Sequence, residues 1–207
     1  MLKRTKSFAL LLLLVATGLA SQVATTTLTN KERKFAVDHL KETRDNLLQS
    51  VKGLSEAQLA FKPAPEAWSV QECVAHITLS EEGIWAMTTG TLQQPANPEK
   101  RADIKMTDEA LLKMIVSREQ KAKADEALQP AAAKWQTAEA ALQHFKEQRQ
   151  KTIKHIKTST EDFRNHVAQL PFGSLDAYQL VLLLSGHTAR HTEQIKEIKA
   201  HPGFPKS

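Results

Sequence analysis

Two histidines four residues apart, His187 and His191, lie in the segment Ser174 to Ala200, SLDAYQLVLLLSGHTARHTEQIKEIKA. On a helix, residues at i and i+4 project from adjacent turns on one side, so both imidazoles can reach one ion. Neutral imidazole ligates zinc, nickel, copper or iron. The apolar residues Leu180, Leu184, Ile195 and Ile198 recur at steps of three and four, and both histidines fall inside that stripe. A third ring must come from another helix. His76 is the one other histidine set in the middle of a core stripe, among Cys73, Ile77, Ser80, Ile84 and Met87. Three protein ligands leave positions open for water or substrate, the arrangement of a catalytic metal.

The pair alone is weak evidence, because eight histidines in a chain of this length give roughly 0.3 such pairs by chance. Placement on an apolar stripe sharpens it, since burying an unpaired polar ring costs on the order of 1–3 kcal/mol. A metal removes that cost, and so does a hydrogen-bonded polar network. Spacing and burial leave both open. Gln194, three residues after His191, is on the same side and is placed to hydrogen-bond an imidazole or a bound water, though a surface amide has the same spacing. Cys73 reads as a small buried residue rather than a fourth ligand. Trp68, Trp85 and Trp135 read as packing residues, and His39 as a satisfied or solvent-facing ring. His144, His155 and His166 read as surface groups, as do Arg190 and Glu193. No nucleophile elbow, phosphate loop or Cys-x-x-Cys pattern is present, and Gly186-His187-Thr188-Ala189-Arg190-His191 lacks the glutamate of a zincin motif. No catalytic acid or base is identified.

The elements that must carry these rings are helical. Thr29-Asn30-Lys31-Glu32 is a capping box that opens a first helix, with Phe35, Leu40, Leu47 and Val51 on one face and Gly53 at its end. The proline-bearing stretch LSEAQLAFKPAPEAW cannot be one continuous helix. Ser69 and Glu72 form a second capping box, which opens the helix bearing His76, and its charged side carries Glu81 and Glu82. Gly90 to Met106 reads as a loop, and Thr107 caps a short helix with Leu111, Leu112, Ile115 and Val116. A further helix spans about Thr137 to Thr158 and continues, bent, toward His166. Pro171-Phe172-Gly173 breaks the chain before the histidine-pair helix. The expected architecture is all-α: a four-helix bundle with one crossover and an additional short helix on its side.

The expected domain plan is a signal peptide over 1–20, a flexible segment over 21–29 and a helical bundle over 30–207. Lys3, Arg4 and Lys6 precede the apolar run Phe8 to Val15, and Gly18 and Ala20 supply small residues for cleavage after Ala20. The run is short for a membrane span, though an uncleaved anchor is the alternative. The protein is therefore expected to be exported. The chain has 28 basic and 23 acidic residues, and three of the basic ones belong to the leader. The remainder is close to neutral, which argues against a nucleic-acid partner. With Cys73 as the only cysteine, no intramolecular disulfide can form.

The run Trp68-Ser69-Val70-Gln71-Glu72-Cys73-Val74-Ala75-His76, the proline-rich lead-in before it, Phe172-Gly173-Ser174-Leu175-Asp176-Ala177-Tyr178 and Gly186-His187-Thr188-Ala189-Arg190-His191-Thr192-Glu193-Gln194-Ile195 together resemble the DinB-like (DinB/YfiT) superfamily. The resemblance covers about residues 30–205. It implies a four-helix bundle whose metal ligands are His76, His187 and His191, with zinc or nickel the usual occupant. It also implies a metal-dependent hydrolase, or a transferase of low-molecular-weight thiols. Small thiol cofactors are cytosolic, which sets the second activity against an exported chain. The rival reading is a non-catalytic module in which a metal or polar cluster ties two helices together. A homodimeric interaction protein is a third class, without a positive signal in the sequence.

Overall fold

The computed structural model describes residues 27–119 and 124–206; the expected leader and residues 21–26 lie outside them. Among the described residues the chain forms α1 (Asn30–Val51), α2 (Glu56–Ala60), α3 (Val70–Leu92), α4 (Asp108–Val116), α5 (Ala138–Thr158), β1 (Val167–Leu170), β2 (Gly173–Asp176) and α6 (Ala177–Lys199), with short 3-10 turns at Pro98–Asp103, Glu126–Leu128 and Pro130–Ala132. No described helix is long and apolar enough to cross a membrane.

Helix starts follow the side-chain chemistry of the caps. The Glu32 carboxylate accepts from the Thr29 N–H at 2.8 Å while Thr29 Oγ1 accepts from the Glu32 N–H at 3.2 Å. Ser69 and Glu72 repeat the pattern at 2.7 and 3.2 Å. A third box, Ser55 with Gln58, opens α2 inside the stretch read as mere connection. Such caps are worth about 1 kcal/mol each. They fix where the helices begin, and so where their side chains point.

The bundle is α1, α3, α5 and α6. Each of α1 and α3 packs against both α5 and α6, and α4 packs on the outside of α6. Sequential bundle helices α1 and α3 are thus diagonal partners, and so are α5 and α6, where one crossover was expected. Both diagonal links are long, the first carrying α2 and the second the β hairpin. Either can span the width of a bundle whose neighbouring axes lie about 8–10 Å apart.

Several sequence expectations are corrected. The histidine-pair helix starts at Ala177 rather than Ser174: Gly173–Asp176 pairs with Val167–Leu170 as an antiparallel hairpin around Pro171-Phe172. Two four-residue strands are too short to show an alternating pattern, and Asp176, the N-cap, accepts from the Gln179 N–H at 2.8 Å. α5 stops at Thr158 instead of bending on toward His166. There the Ser159 hydroxyl turns the chain by accepting from the Glu161 N–H. Residues 90–106 are not all loop: α3 runs on to Leu92 and Pro98–Asp103 is a 3-10 turn. Phe35 and Met87 are exposed, Ala36, Val37 and Thr88 taking the inward positions. Leu28, at the end of the segment expected to be loose, is buried. From Ala177 to Gly186 α6 is buried on every side rather than along one stripe, because α1, α3, α4 and the hairpin surround it. Gly186 permits the close approach of α4: a Cβ there would lie 3.2 Å from Leu112 and Ile115 side chains.

The apolar core divides in two. One cluster gathers Leu40, Ile84, Ile153, Ile156 and the first half of α6 up to Leu184. The other gathers Leu47, Cys73, Val74, Ile77, Phe145, Ile195 and Ile198. Between them lies a polar layer. Glu81, assigned from the sequence to a charged outer side, is 2% exposed and Arg149 is 0% exposed. Two Arg149 nitrogens donate to the two Glu81 carboxylate oxygens at 2.7 Å. The other Arg149 donors go to the Leu40 carbonyl, Thr43 Oγ1 and Thr188 Oγ1, each at 2.8 Å. All five guanidinium N–H groups are satisfied, as a buried arginine requires.

At the far end a second arginine, Arg164, pairs with Glu32, Asp108 and Asp176. These carboxylates stand at the starts of α1, α4 and α6, where negative charge favours the helix dipole.

Candidate metal centre

His76 is placed by the α3 capping box two turns before it. His187 and His191 project from successive turns of α6 beside Thr188, whose hydroxyl belongs to the polar layer. The three rings meet. His76 Nε2 lies 3.2 Å from His187 Nε2 and 3.1 Å from His191 Nε2. One nitrogen from each ring falls within 4.8 Å of the others, and this is the one such donor cluster among the described residues. His76 and His191 are buried, whereas His187 keeps part of its surface open.

The hydrogen bonds around the rings fix their tautomers. A carbonyl can only accept, so at 2.7 Å from the Leu128 oxygen His76 must carry its proton on Nδ1. His191 Nδ1–H likewise donates to Gln194 Oε1 at 2.9 Å, and the same oxygen accepts from Arg118 Nη1 at 3.3 Å. In both rings Nε2 is then a bare lone pair, and the two lone pairs face each other. Neutral rings in that state cannot hydrogen-bond to one another. Protonation is no escape: burial, then the neighbouring imidazole of His76, pushes His191 down to about 3. Burial also lowers His76 against the opposing pull of the Leu128 carbonyl. His187 is held well below its ordinary value by burial and then by the two other rings. The site is a set of neutral imidazoles with nitrogens converging.

That arrangement fits a metal ion. Nitrogens bound at the usual ~2.0–2.1 Å stand roughly 3.3–3.4 Å apart on a tetrahedron and roughly 2.8–3.0 Å apart on an octahedral face. The two Nε2–Nε2 separations from His76, 3.1 and 3.2 Å, fall between these values.

The structure brings together all three histidines read from the stripes and puts Gln194 against His191. It does not bring Cys73 in. That thiol is fully buried beside Val74 and Ile77, and burial pushes it up to about 12, away from the thiolate a ligand must be. Trp68, read as a packing residue, also lies against the site, its ring centroid 4.7 Å from that of His76 and 6.0 Å from that of His191. His144 and His155 are only partly exposed and pair with Glu82 and Glu161, while His39 bonds Ser185 Oγ at 2.8 Å. Two neighbours went unread. The Leu128 carbonyl carries no side-chain signal at all. Arg118, which holds Gln194 while gripping Glu197 at 2.9 and 3.2 Å, is 76 residues away in sequence.

Comparison with known proteins agrees with this architecture. A Bacillus subtilis (strain 168) protein of uncharacterized function, YuaE, is 29% identical over 160 residues, covering 76% of this chain and 93% of that one. YfiT from Bacillus subtilis, described as a probable metal-dependent hydrolase with an unusual four-helix bundle topology, superposes with a TM-score of 0.58 at 17% identity. The match covers 86% of this chain and 92% of that one, and at this identity it speaks for the fold. Residues 39–195, a span containing all three histidines, match the model of the DinB superfamily, and the chain belongs to that family.

Proposed function

We propose that His76, His187 and His191 hold a divalent transition metal, zinc or nickel, through their Nε2 atoms, and that the protein is a metal-dependent hydrolase. The observation that carries this is the pair of fixed tautomers: two Nε2 lone pairs held 3.1 Å apart with no proton between them. A cation at that point turns a repulsive contact into a binding site. The description of YfiT supports the hydrolase class.

Each residue has a definable part. The Leu128 carbonyl and Gln194 hold two rings in the ligating tautomer and make their Nε2 atoms more basic. Trp68 lies against His76 and His191 and limits their water contact. His187, the most open of the three, marks the side from which substrate approaches. A metal held by the three histidines would supply Lewis acidity for activating a nucleophile near neutral pH. The basic and apolar pattern of residues 3–20 supports export of the mature chain.

The burial of His76 and His191 favours one competing reading, in which the metal only ties α3 to α6. Metal analysis of the purified protein beside a His187→Ala variant tests the ligand assignment, and equal metal content in the two would refute it. A panel of ester, amide and phosphoester substrates, assayed with and without chelator, separates the readings. Turnover lost on chelation and restored by metal supports the hydrolase; metal binding without any metal-dependent turnover supports the tie.

A further inference from the structure

The metal reading leaves open what holds α3 and α6 in register, so that rings on two helices 111 and 115 residues apart in sequence meet within 3.2 Å. We propose that the Glu81–Arg149 layer sets this register and that both residues are positioning residues for the histidine triad. The inference rests on the ligand assignment above.

Three observations carry it. The layer touches every helix of the bundle: Leu40 and Thr43 on α1, Glu81 on α3, Arg149 on α5, and Thr188 on α6. It is adjacent to the triad on both of the helices that matter. Thr188 follows His187 directly, and Glu81 is five residues past His76, about 7.5 Å along the helix. Finally, it splits the core, since Leu40, Ile84, Ile153 and Leu184 lie to one side and Leu47, Ile77, Phe145 and Ile195 to the other.

That last feature gives the layer its selectivity. Apolar contacts are non-directional, and two helices lined with leucine and isoleucine tolerate a slide of one turn with modest change in burial. On α3 a slide of one turn in either direction replaces Glu81 beside Arg149 with Ile77 or Trp85, neither of which carries an acceptor. On α6 a slide one way replaces Thr188 with Leu184, and a slide the other way puts Thr192 there but carries His187 out of the place facing His76. The observed alignment satisfies all five N–H groups, the Glu81 carboxylate fixing α3 most strongly, and in that alignment His76 faces His187 and His191. A buried polar group fixing register is the best-attested use of such a group.

The test replaces the layer by apolar residues of similar volume in the double variant Glu81→Leu/Arg149→Met, with Thr188→Val as a milder cut that removes only the α6 leg. Helical content is measured by circular dichroism, cobalt(II) affinity by titration against a competing chelator, and ligand geometry from the cobalt d–d spectrum. The expected result is a folded double variant with cobalt affinity at least tenfold weaker and an altered d–d spectrum, and a smaller loss in the same direction for Thr188→Val. Wild-type affinity and a superimposable spectrum in both variants would overturn the proposal. If the double variant does not fold, Thr188→Val decides alone. If the wild-type protein takes up no cobalt, the ligand reading fails instead. The register is then read without metal from the imidazole 15N correlations of His76, His187 and His191, which must shift or split in Thr188→Val for the positioning role to stand.

Discussion

Three neutral imidazoles held inside the bundle make the metal-free protein sensitive to mild acid in a calculable way. Each ring keeps an ordinary value near 6.5 when the chain unfolds and a lowered one when folded, down to about 3 for His191. Below 6.5 the unfolded state therefore binds more protons than the folded state, and stability falls as pH falls. It is fully present above 6.5 and is lost progressively between there and the folded values. Between about pH 7 and pH 5 a ring that stays neutral in the folded protein costs roughly 2 kcal/mol. His191, held down to about 3, is such a ring, and His76 and His187, lowered by burial, add to the loss in the same direction. Even one ring is a sizeable part of the 5–15 kcal/mol typical of a domain. The assay is urea unfolding of chelator-treated protein at the two pH values, compared with a His76→Gln/His187→Gln/His191→Gln variant. The difference between the two proteins removes His39, which is also lowered by burial, and the carboxylates. A wild-type loss exceeding that of the variant by less than 1 kcal/mol would refute the picture of neutral, converging rings.

Gln194→Leu removes the acceptor that orients His191, and metal affinity should fall by about 10–100-fold in a chelator competition with no matching loss of helical content. An unchanged affinity would show that His191 needs no such partner. Glu81→Ala strands the Arg149 guanidinium in the core, with only the Leu40, Thr43 and Thr188 oxygens left to it. The urea midpoint should drop by the equivalent of about 3–5 kcal/mol, and a loss under 1 kcal/mol would mean that water reaches the layer.

Much of this site was legible because metal ligation on helices leaves a periodic trace. His76, His187 and His191 each fall among apolar neighbours at helical spacing, and the Thr29 and Ser69 boxes mark the starts that position α1 and α3. The polar layer left no such trace. Glu81 precedes Glu82 and looks like surface charge; Arg149 lies in a helix crowded with lysine and glutamine. Their burial is a property of four helices at once, and periodicity within one helix cannot report it. The hairpin was missed for a different reason. Four residues per strand are too few for alternation to show, and its partner interactions lie in the end-cap of the bundle, where Asn97 bonds the Val167 backbone through both its amide oxygen and nitrogen.

The energetics of the core bear on whether the triad serves the fold or the chemistry. Structural metals are characteristic of small domains whose apolar cores are too small to sustain the fold. Here α3 and α6 are joined by apolar packing on both sides of the polar layer, through Ile84, Leu180 and Leu184 in one cluster and Val74, Ile77, Ile195 and Ile198 in the other. The bundle has no need of a further clasp. The triad instead interrupts well-packed surroundings with facing lone pairs that, without a cation, lower stability and make it pH-sensitive. Nitrogen lone pairs held face to face between two well-formed apolar clusters are the mark of a site kept for function. Replacing the three rings by neutral, non-ligating residues should therefore leave a bundle at least as stable toward acid as the metal-free wild type, and one that has lost its metal.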